Sequence, residues 1–166
     1  MPPFGHRFAV FAAGLESFMQ LTRNRESDYQ IIYPASPSQS EMYAAKELKK
    51  YLFQITGAML PEFQDNRHEE AQEIVIGYTN RGGYTEKDQK ALGKEGFIIK
   101  TQNEKIFIIG SGVRGALYGV YTFLEKYCGC RFYTNDFERV PRNTDLCIPA
   151  IEEDRQIPVF LLRNSY

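Results

Sequence analysis

The chain has 166 residues, and its 20 Lys and Arg side chains nearly balance its 21 Asp and Glu side chains, so its formal net charge is −1. This length corresponds to about one domain and is too short for a complete (β/α)₈ barrel, which takes about 250 residues. The charge lacks the basic excess of a general nucleic-acid binder, and no apolar run approaches the ~18 residues of a membrane-spanning helix. The composition, 43% hydrophobic and 25% charged, predicts one folded domain with no particular chemistry.

Residues 1–28 precede the first clear secondary-structure pattern, and we interpret them as an N-terminal extension. Within it, the apolar segment Phe8–Leu15 follows His6 and Arg7 and has part of the character of a secretory signal segment. The alternative is a mis-chosen start or an extra, poorly ordered segment. A secreted or periplasmic location and a cytoplasmic one therefore stay equally open.

The first strong structural signals are a strand and an amphipathic helix. Tyr29–Tyr33 is rich in β-branched and aromatic residues and predicts a strand. Ser38 precedes Glu41 by three positions, the spacing of a capping box at a helix start. Apolar residues then recur at positions 45, 48, 52 and 55, which is helical spacing, and Gly57 is a natural helix end.

The second half of the chain predicts more strands and a second helix. The strand patterns are Leu60–Gln64, Glu73–Tyr78, Gly96–Thr101, Lys105–Ile109, Arg131–Tyr133 and Leu146–Ile148. The third and fourth of these flank a short polar loop and predict a β-hairpin. Gly110–Gly129 predicts the second helix. Two helices among several strands predict an α+β fold, with a mixed, largely antiparallel sheet and two main helices packed on it.

The second predicted helix has almost no polar face. Between residues 113 and 128 the clearly hydrophilic side chains are Arg114, Thr122, Glu125 and Lys126. A helix that is apolar nearly all round must be covered on more than one side, and one sheet covers one side. We therefore expect the 113–128 face to contact more of this chain, another domain or a second copy.

The sequence Gly110-Ser-Gly112-Val-Arg-Gly115 matches the G-x-G-x-x-G fingerprint of dinucleotide sites, and Asp136 follows at a suitable distance. However, the strand that enters the motif is the second arm of a predicted hairpin, so we expect an antiparallel neighbour. Too few residues follow Gly115 for a dinucleotide-binding fold. We favour a tight turn and close helix–sheet packing, and a nucleotide-binding enzyme stays the weaker alternative.

No other catalytic pattern is convincing. His6 and His68 are the two histidines, and both lie in segments that predict surface loops. The pairs Glu69–Glu70 and Glu152–Glu153 are adjacent in segments that predict loops, whereas glycosidic cleavage needs two carboxylates about 5–9.5 Å apart across a pocket. We predict no catalytic residue.

The three cysteines, Cys128, Cys130 and Cys147, do not have the spacing of a zinc site. We interpret them as small buried apolar residues, while a disulfide from Cys147 to either of the others stays open. No metal and no cofactor is predicted.

Two segments together resemble a known domain. Glu41–Gly57, followed by Pro61, resembles the first helix of the N-terminal accessory domain that precedes the catalytic barrel in family 67 α-glucuronidases and family 20 β-hexosaminidases. Gly112–Glu125, which continues into Gly129–Tyr133 and then Val140-Pro141, is similar to the most recognisable segment of that domain. The two segments have the order and spacing of the family, and the resemblance extends from about residue 29 to residue 149.

The resemblance implies a domain that is not itself catalytic. In such proteins a mixed sheet packs against two helices, and the barrel that follows supplies the catalytic groups. Ile157–Arg163 looks like the lead into the first barrel strand, where an arginine matching Arg163 contacts sugar hydroxyls. The resemblance thus divides the chain into the extension 1–28, the accessory domain 29–150 and the lead 151–166 into a barrel that this chain lacks.

We therefore expect a non-catalytic accessory domain of a carbohydrate-processing enzyme. Its partner would be the catalytic barrel, or a second copy bound through the 113–128 face. The alternative from the binding class is an independent glycan-binding module that uses the many Tyr and Phe rings. An exposed row of Tyr rings would favour that alternative.

Overall fold

A computed structural model describes residues 8–11, 16–111, 113–134 and 137–157. The elements in these ranges, in chain order, are β1 (Phe8–Phe11), β2 (Glu16–Gln20), β3 (Gln30–Tyr33), α1 (Gln39–Thr56), β4 (Glu62–Gln64), β5 (Glu73–Ile76), α2 (Glu86–Lys90), β6 (Phe97–Gln102), β7 (Lys105–Gly110), α3 (Gly115–Cys128), β8 (Arg131–Thr134), β9 (Phe137–Arg139), β10 (Cys147–Pro149) and β11 (Asp154–Gln156). None of the helices in the described ranges is long and apolar enough to cross a membrane.

Six strands form the central sheet in the order β11-β6-β7-β5-β3-β4. β4, β3, β5 and β7 run parallel to one another, and β6 and β11 are added antiparallel at one edge. β5 and β7 consist mainly of apolar residues and are buried throughout, as expected for parallel strands that are covered on both faces. The α+β class and the mixed sheet are confirmed. Antiparallel pairing also holds in the two smaller sheets, β1-β2-β10 and β8-β9.

The larger core lies between one face of the central sheet and the two long helices. Alternate strand residues, such as Ile31, Ile74 and Ile108, point into this core, where they meet α1 and α3. Their sequence neighbours, such as Ile32 and Val75, form a second and smaller core on the opposite face. Any functional surface therefore lies on the outside of these packed layers.

The ends of α1 are formed as the sequence predicts. The Ser38 hydroxyl accepts a hydrogen bond from the Glu41 amide at 3.1 Å, and Glu41 Oε1 accepts one from the Ser38 amide at 2.9 Å. Gly57 ends the helix with a φ of 80°, a left-handed conformation that favours glycine. The predicted capping box and helix end are confirmed.

A short helix that was not predicted from the sequence leads into a buried residue of the smaller core. α2 has five residues and its own capping box, in which Thr85 and Asp88 exchange hydrogen bonds. Leu92, just after it, is fully buried in the smaller core together with Phe107. Five residues are too few for a periodic apolar pattern, and none of the five is buried, so no apolar signal in the sequence predicts this helix.

Part of the predicted N-terminal extension packs with the rest of the domain. β2 pairs antiparallel with β1 and with β10, and Met19 and Leu21 are buried in the larger core. Residues 1–7 and 12–15 lie outside the described residues. The interpretation of the segment as a signal stays a prediction, as do the boundaries at 28/29 and 150/151.

The nearly all-apolar α3 is covered mostly by this chain. One side of it lies on β6 and β7, and another side contacts α1. The β8-β9 hairpin closes over both helices through Phe132, whose ring meets Tyr51 and Tyr121 edge-on at centroid distances of 5.3 and 5.2 Å. More of this chain therefore supplies most of the contact that we expected for the 113–128 face.

Candidate functional site

The glycine-rich turn before α3 is filled by the chain itself. A Cβ on Gly110 would overlap the backbone of Gly115 and Ala116, and a Cβ on Gly115 would overlap the carbonyl oxygen of Gly96. Further along α3, a Cβ on Gly119 would lie 2.7 Å from the Cγ2 of Ile108. These glycines let α3 pack closely on β7, as our packing interpretation predicts.

The strand that enters this turn has two kinds of neighbour. β7 pairs antiparallel with β6, as predicted from the hairpin, but its other neighbour β5 is parallel. An antiparallel neighbour therefore does not by itself exclude a nucleotide site, and the occupied space around Gly110 and Gly115 is the stronger argument against it. Gly112 and Asp136, the other parts of the motif, lie outside the described residues.

The three cysteines are free. Burial raises the pKa of the Cys128 thiol well above its ordinary value. For Cys130, burial and then the nearby carboxylate of Glu138 raise the pKa to about 11. Neither is a thiolate nucleophile at neutral pH. Cys147 is exposed, and its thiol lies 3.3 Å from Gln20 Oε1. No group of three metal-ligating side chains occurs among the residues that the structure describes.

The most buried charges hold a loop in place. The Glu73 carboxylate is fully buried and binds Arg81 Nε at 2.8 Å and Lys105 Nζ at 3.2 Å. Burial opposes ionisation of Glu73, but hydrogen bonds from Arg81, the Glu70 amide and Gln30 outweigh it and lower the pKa. Arg81 also donates to three backbone carbonyls, those of residues 65, 67 and 68. This network is satisfied internally and fastens the loop before β5 to the sheet.

The acidic pairs singled out in the sequence lie on the surface. Glu69 pairs with Lys105 at 3.1 Å, and Glu70 pairs with His68, whose side chain is largely exposed. Glu153 pairs with Arg155 at 3.1 Å, and Glu152 is exposed. These carboxylates are ordinary surface charges, as the sequence analysis predicts. His6 lies outside the described residues.

An apolar groove lies between the first turns of α1 and α3, and we name it the helix-start groove. Its volume is about 500 Å³, and it is lined by Gln39, Ser40, Met42, Tyr43, Lys46, Val113, Arg114 and Leu117. Met42 is 41% exposed, Tyr43 51% and Val113 52%. The exposed apolar part at α3 is thus confined to its start. The signal in the sequence that could have indicated this groove is that Met42 and Tyr43 are apolar but do not lie on the face of α1 that packs into the core.

The last described strand, β11, runs toward the end of the central sheet at which α1 and α3 begin. Gln156 at the end of β11 pairs with Phe97, and Phe97 pairs with Gly110 at the end of β7. Since α3 begins just after Gly110, β11 runs toward the end of the sheet where the helices start. Arg163, which the resemblance implicates in sugar contact, lies outside the described residues.

The exposed tyrosines do not share one element. Tyr43 lies on α1, Tyr78 follows β5 and Tyr133 lies on β8, and these three are between 40% and 57% exposed. Other tyrosines are tied into the fold through their hydroxyls. Tyr121 donates to Glu47 at 2.6 Å and Tyr127 donates to Asp154 at 2.8 Å. No single described element therefore presents a row of Tyr rings.

Comparison with solved structures gives many similar folds, among them those of two Streptomyces enzymes. The GH20 β-N-acetylhexosaminidase from Streptomyces coelicolor A3(2) has a TM-score of 0.57 and 16% sequence identity, over 87% of this chain and 24% of that chain. A β-hexosaminidase from Streptomyces plicatus has a TM-score of 0.50 and 15% identity, over 84% of this chain and 23% of that chain. This chain thus spans about a quarter of the length of each. A comparison with curated proteins gave no match.

The sequence also matches the family described as "Glycosyl hydrolase family 67 N-terminus" over residues 17–123. This range includes nearly all of β2, the starts of the two long helices α1 and α3, and the parallel strands of the central sheet. It also includes Glu41–Gly57, the first of the two segments on which the resemblance in the sequence depends. The chain therefore belongs to the family of glycosyl hydrolase family 67 N-terminal domains.

Proposed function

We propose that this chain is a non-catalytic accessory domain of a glycoside hydrolase and that it packs against the catalytic domain through the helix-start groove. The observation that carries the proposal is the joint exposure of Met42, Tyr43 and Val113 at the end of the sheet toward which β11 leads the chain. Exposed apolar patches on otherwise polar surfaces mark interaction sites.

The arrangement of acidic side chains supports an accessory role. Glycosidic cleavage needs two carboxylates held about 5–9.5 Å apart across a pocket. Among the described residues, those that line the helix-start groove include neither Asp nor Glu. The buried carboxylate of Glu73 is committed to Arg81 and Lys105, so it has no free lone pair for chemistry.

The proposed docking surface is narrower than the 113–128 face that the sequence predicts. It uses only the start of α3 and adds the start of α1. Each of its three exposed apolar side chains is about half covered already, so full burial of each would stabilise an interface by about 1 kcal/mol. This stabilisation is enough to orient two domains of one chain, because interfaces between such domains are modest in size. Contact of Arg163 with sugar hydroxyls in the catalytic domain remains part of the proposal.

Two measurements test the proposal. The first is the DNA that follows the codon for Tyr166: an in-frame barrel with paired carboxylates supports the proposal, and the lack of one contradicts it. The second is amide hydrogen exchange of this chain alone and joined to that barrel. We expect slower exchange in the first turns of α1 and α3 when the barrel is present. Unchanged exchange there would move the docking surface elsewhere.

A matched variant sharpens the second measurement. Met42→Ser with Val113→Ser removes apolar surface from the groove, and Met59→Ser removes a side chain that is 62% exposed but lies outside it. We expect the groove variant to lose the slower exchange and the Met59 variant to keep it.

A further inference from the structure

A cationic surface along the second half of α1 has no part in the proposed function. At its centre is Phe53, which is 46% exposed. Phe53 and Gln54 line two adjoining clefts. One, of about 820 Å³, includes Arg25, Arg142 and Thr144, and we name it the arginine cleft. The other, of about 540 Å³, is named the lysine cleft and includes the lysines at positions 46, 49 and 50.

Positive charge exceeds negative charge around these clefts. Among the residues that the structure describes, Arg25, Arg142 and Lys49 form no ion pair, whereas Lys46 and Lys50 pair with one Glu each. Asp145, which accepts from the Thr144 hydroxyl, adds a third carboxylate, so five cations face three carboxylates in a chain whose formal net charge is −1. Such a local excess attracts an anionic partner.

Arg25 and Arg142 partly neutralise the partial negative charge at the C-terminus of α1, but their combined positive charge is larger than this partial charge. The last turn of α1 has no basic residue, and the side chain of Arg25 packs over Gly57, where a Cβ would lie 3.3 Å from the Arg25 Cγ. A helix C-terminus carries about half a negative charge. Two guanidinium groups exceed this, so positive potential remains for a ligand in the arginine cleft.

The residue types around Phe53 fit a sugar acid. A guanidinium binds a carboxylate through two parallel hydrogen bonds, and an exposed aromatic ring offers a flat apolar surface. Gln54 and Thr144 add polar groups to the arginine cleft. The volume of each cleft lies in the range of small-ligand sites, about 300–1,000 Å³.

We infer that the Phe53 surface binds an acidic oligosaccharide, with a carboxylate on Arg142 and Arg25 and a sugar ring on Phe53. The anionic character of the ligand rests on the unpaired guanidinium groups, and the choice of a saccharide rests on the proposed function. This site is separate from the helix-start groove, although Lys46 lines both the groove and the lysine cleft.

The test is a titration of the whole chain with trigalacturonic acid, and with maltotriose as its neutral counterpart. Binding is followed by calorimetry and by ¹H–¹⁵N spectra, which also verify that each variant is folded. We expect binding of the acidic trisaccharide only, weaker at high salt, with shifts around residues 25, 53–57 and 142–144. Arg142→Gln and Phe53→Ala should each lower the affinity about tenfold or more.

Two matched variants control for charge and for ring exposure. Arg155→Gln removes a guanidinium from β11, at the opposite edge of the sheet from β3 and β4. Tyr133→Ala removes a ring that is 57% exposed and lines neither cleft. Both should bind trigalacturonic acid like the unaltered chain.

Three binding results would overturn the inference, and so would a lack of binding. The three results are equal binding of maltotriose, equal binding of inorganic sulfate, and shifts in the spectra away from the two clefts. Absence of any binding at millimolar ligand would overturn it as well. The exchange experiment could also show slower exchange around Phe53 when the barrel is present. If the chain then bound no trigalacturonate, the cationic surface would be a contact with the barrel and not a saccharide site. Failure of docking at the helix-start groove would leave the titration unaffected, so the two proposals fail separately.

Discussion

Gly77 and Glu41 lie so close together that the Glu41 carboxylate fills the space a Cβ at position 77 would need. Glu41 is the partner of the N-cap residue Ser38 in the capping box of α1 and is 6% exposed. Gly77 follows β5 and has a φ of 81°, in the left-handed region. The start of α1 and the end of β5 are thus fixed by one contact, and the start of α1 forms one wall of the helix-start groove.

Gly77→Ala should destabilise the domain. The left-handed conformation costs a residue with a Cβ about 1–3 kcal/mol, and displacement of Glu41 weakens a helix cap worth about 1 kcal/mol. We expect a loss of about 2–4 kcal/mol in the free energy of unfolding, measured by urea denaturation. Gly82→Ala is the control, because Gly82 has a φ of 80° but, apart from its chain neighbours, no atom of the described residues within 4 Å of its Cβ position. Equal losses in the two variants would show that the contact with Glu41 contributes nothing.

The hairpin that covers α3 depends on Phe132. Its ring meets Tyr51 and Tyr121 on the two long helices. Because an aromatic pair contributes about 0.5–1.5 kcal/mol beyond its buried area, we expect Phe132→Ala to lower the free energy of unfolding by about 2–4 kcal/mol and to expose α3 to a hydrophobic dye. The neighbouring Tyr133→Ala, at a 57% exposed position, should do neither. A Phe132 variant as stable as the Tyr133 variant would contradict this account of the covering of α3.

The parts of the fold that could be predicted from the sequence are those set by near neighbours. The capping box of Ser38 and Glu41 and the end at Gly57 are local signals, and all three define α1 correctly. The β6-β7 hairpin is also local. Asn103 and Glu104 form its turn with φ values of 51° and 68°, the geometry of a tight two-residue hairpin turn.

The parts that could not be predicted depend on distant contacts. β11 consists of Asp154, Arg155 and Gln156, a polar run whose strand character comes only from pairing with β6. The parallel pairing of β5 with β7 could not be predicted either, because an apolar run indicates a strand covered on both faces but not which strand it pairs with. At the candidate sites, apolar residues off the core stripe of α1, such as Phe53, were a usable signal. Their grouping with Val113 or Arg142 follows only from the folded chain.

The Glu73 network predicts an acid-sensitive domain. The folded-state pKa of Glu73 is lowered, so its contribution to stability is present above the pKa of the unfolded chain and is lost as pH falls through the folded-state pKa. Glu73→Gln should leave Arg81 as an uncompensated buried charge and cost about 3–5 kcal/mol at neutral pH. It should also flatten the fall in stability below about pH 4.5.

The control for Glu73 is Glu69→Gln. Glu69 also contacts Lys105, at 3.1 Å, but its side chain is 51% exposed. An exposed ion pair contributes little, so this variant should change neutral-pH stability by less than about 1 kcal/mol and keep the acid-dependent fall. Unfolding followed by fluorescence from pH 3 to pH 7 gives both quantities. Equal effects of the two variants would contradict our conclusion that the buried carboxylate of Glu73 causes the loss of stability at low pH.

The cysteines should differ in their reactivity toward a disulfide reagent. Cys147 is exposed, whereas Cys128 and Cys130 are buried and burial raises the pKa of both thiols. Because the thiolate is the reacting form, we expect one thiol per folded chain to react rapidly at pH 8, and all three cysteines in denaturant. Cys147→Ser should abolish the rapid phase without changing the free energy of unfolding by more than about 0.5 kcal/mol. Rapid modification of a second thiol in that variant would mean that the junction of α3 and β8, where Cys128 and Cys130 lie, opens far more readily than its packing implies.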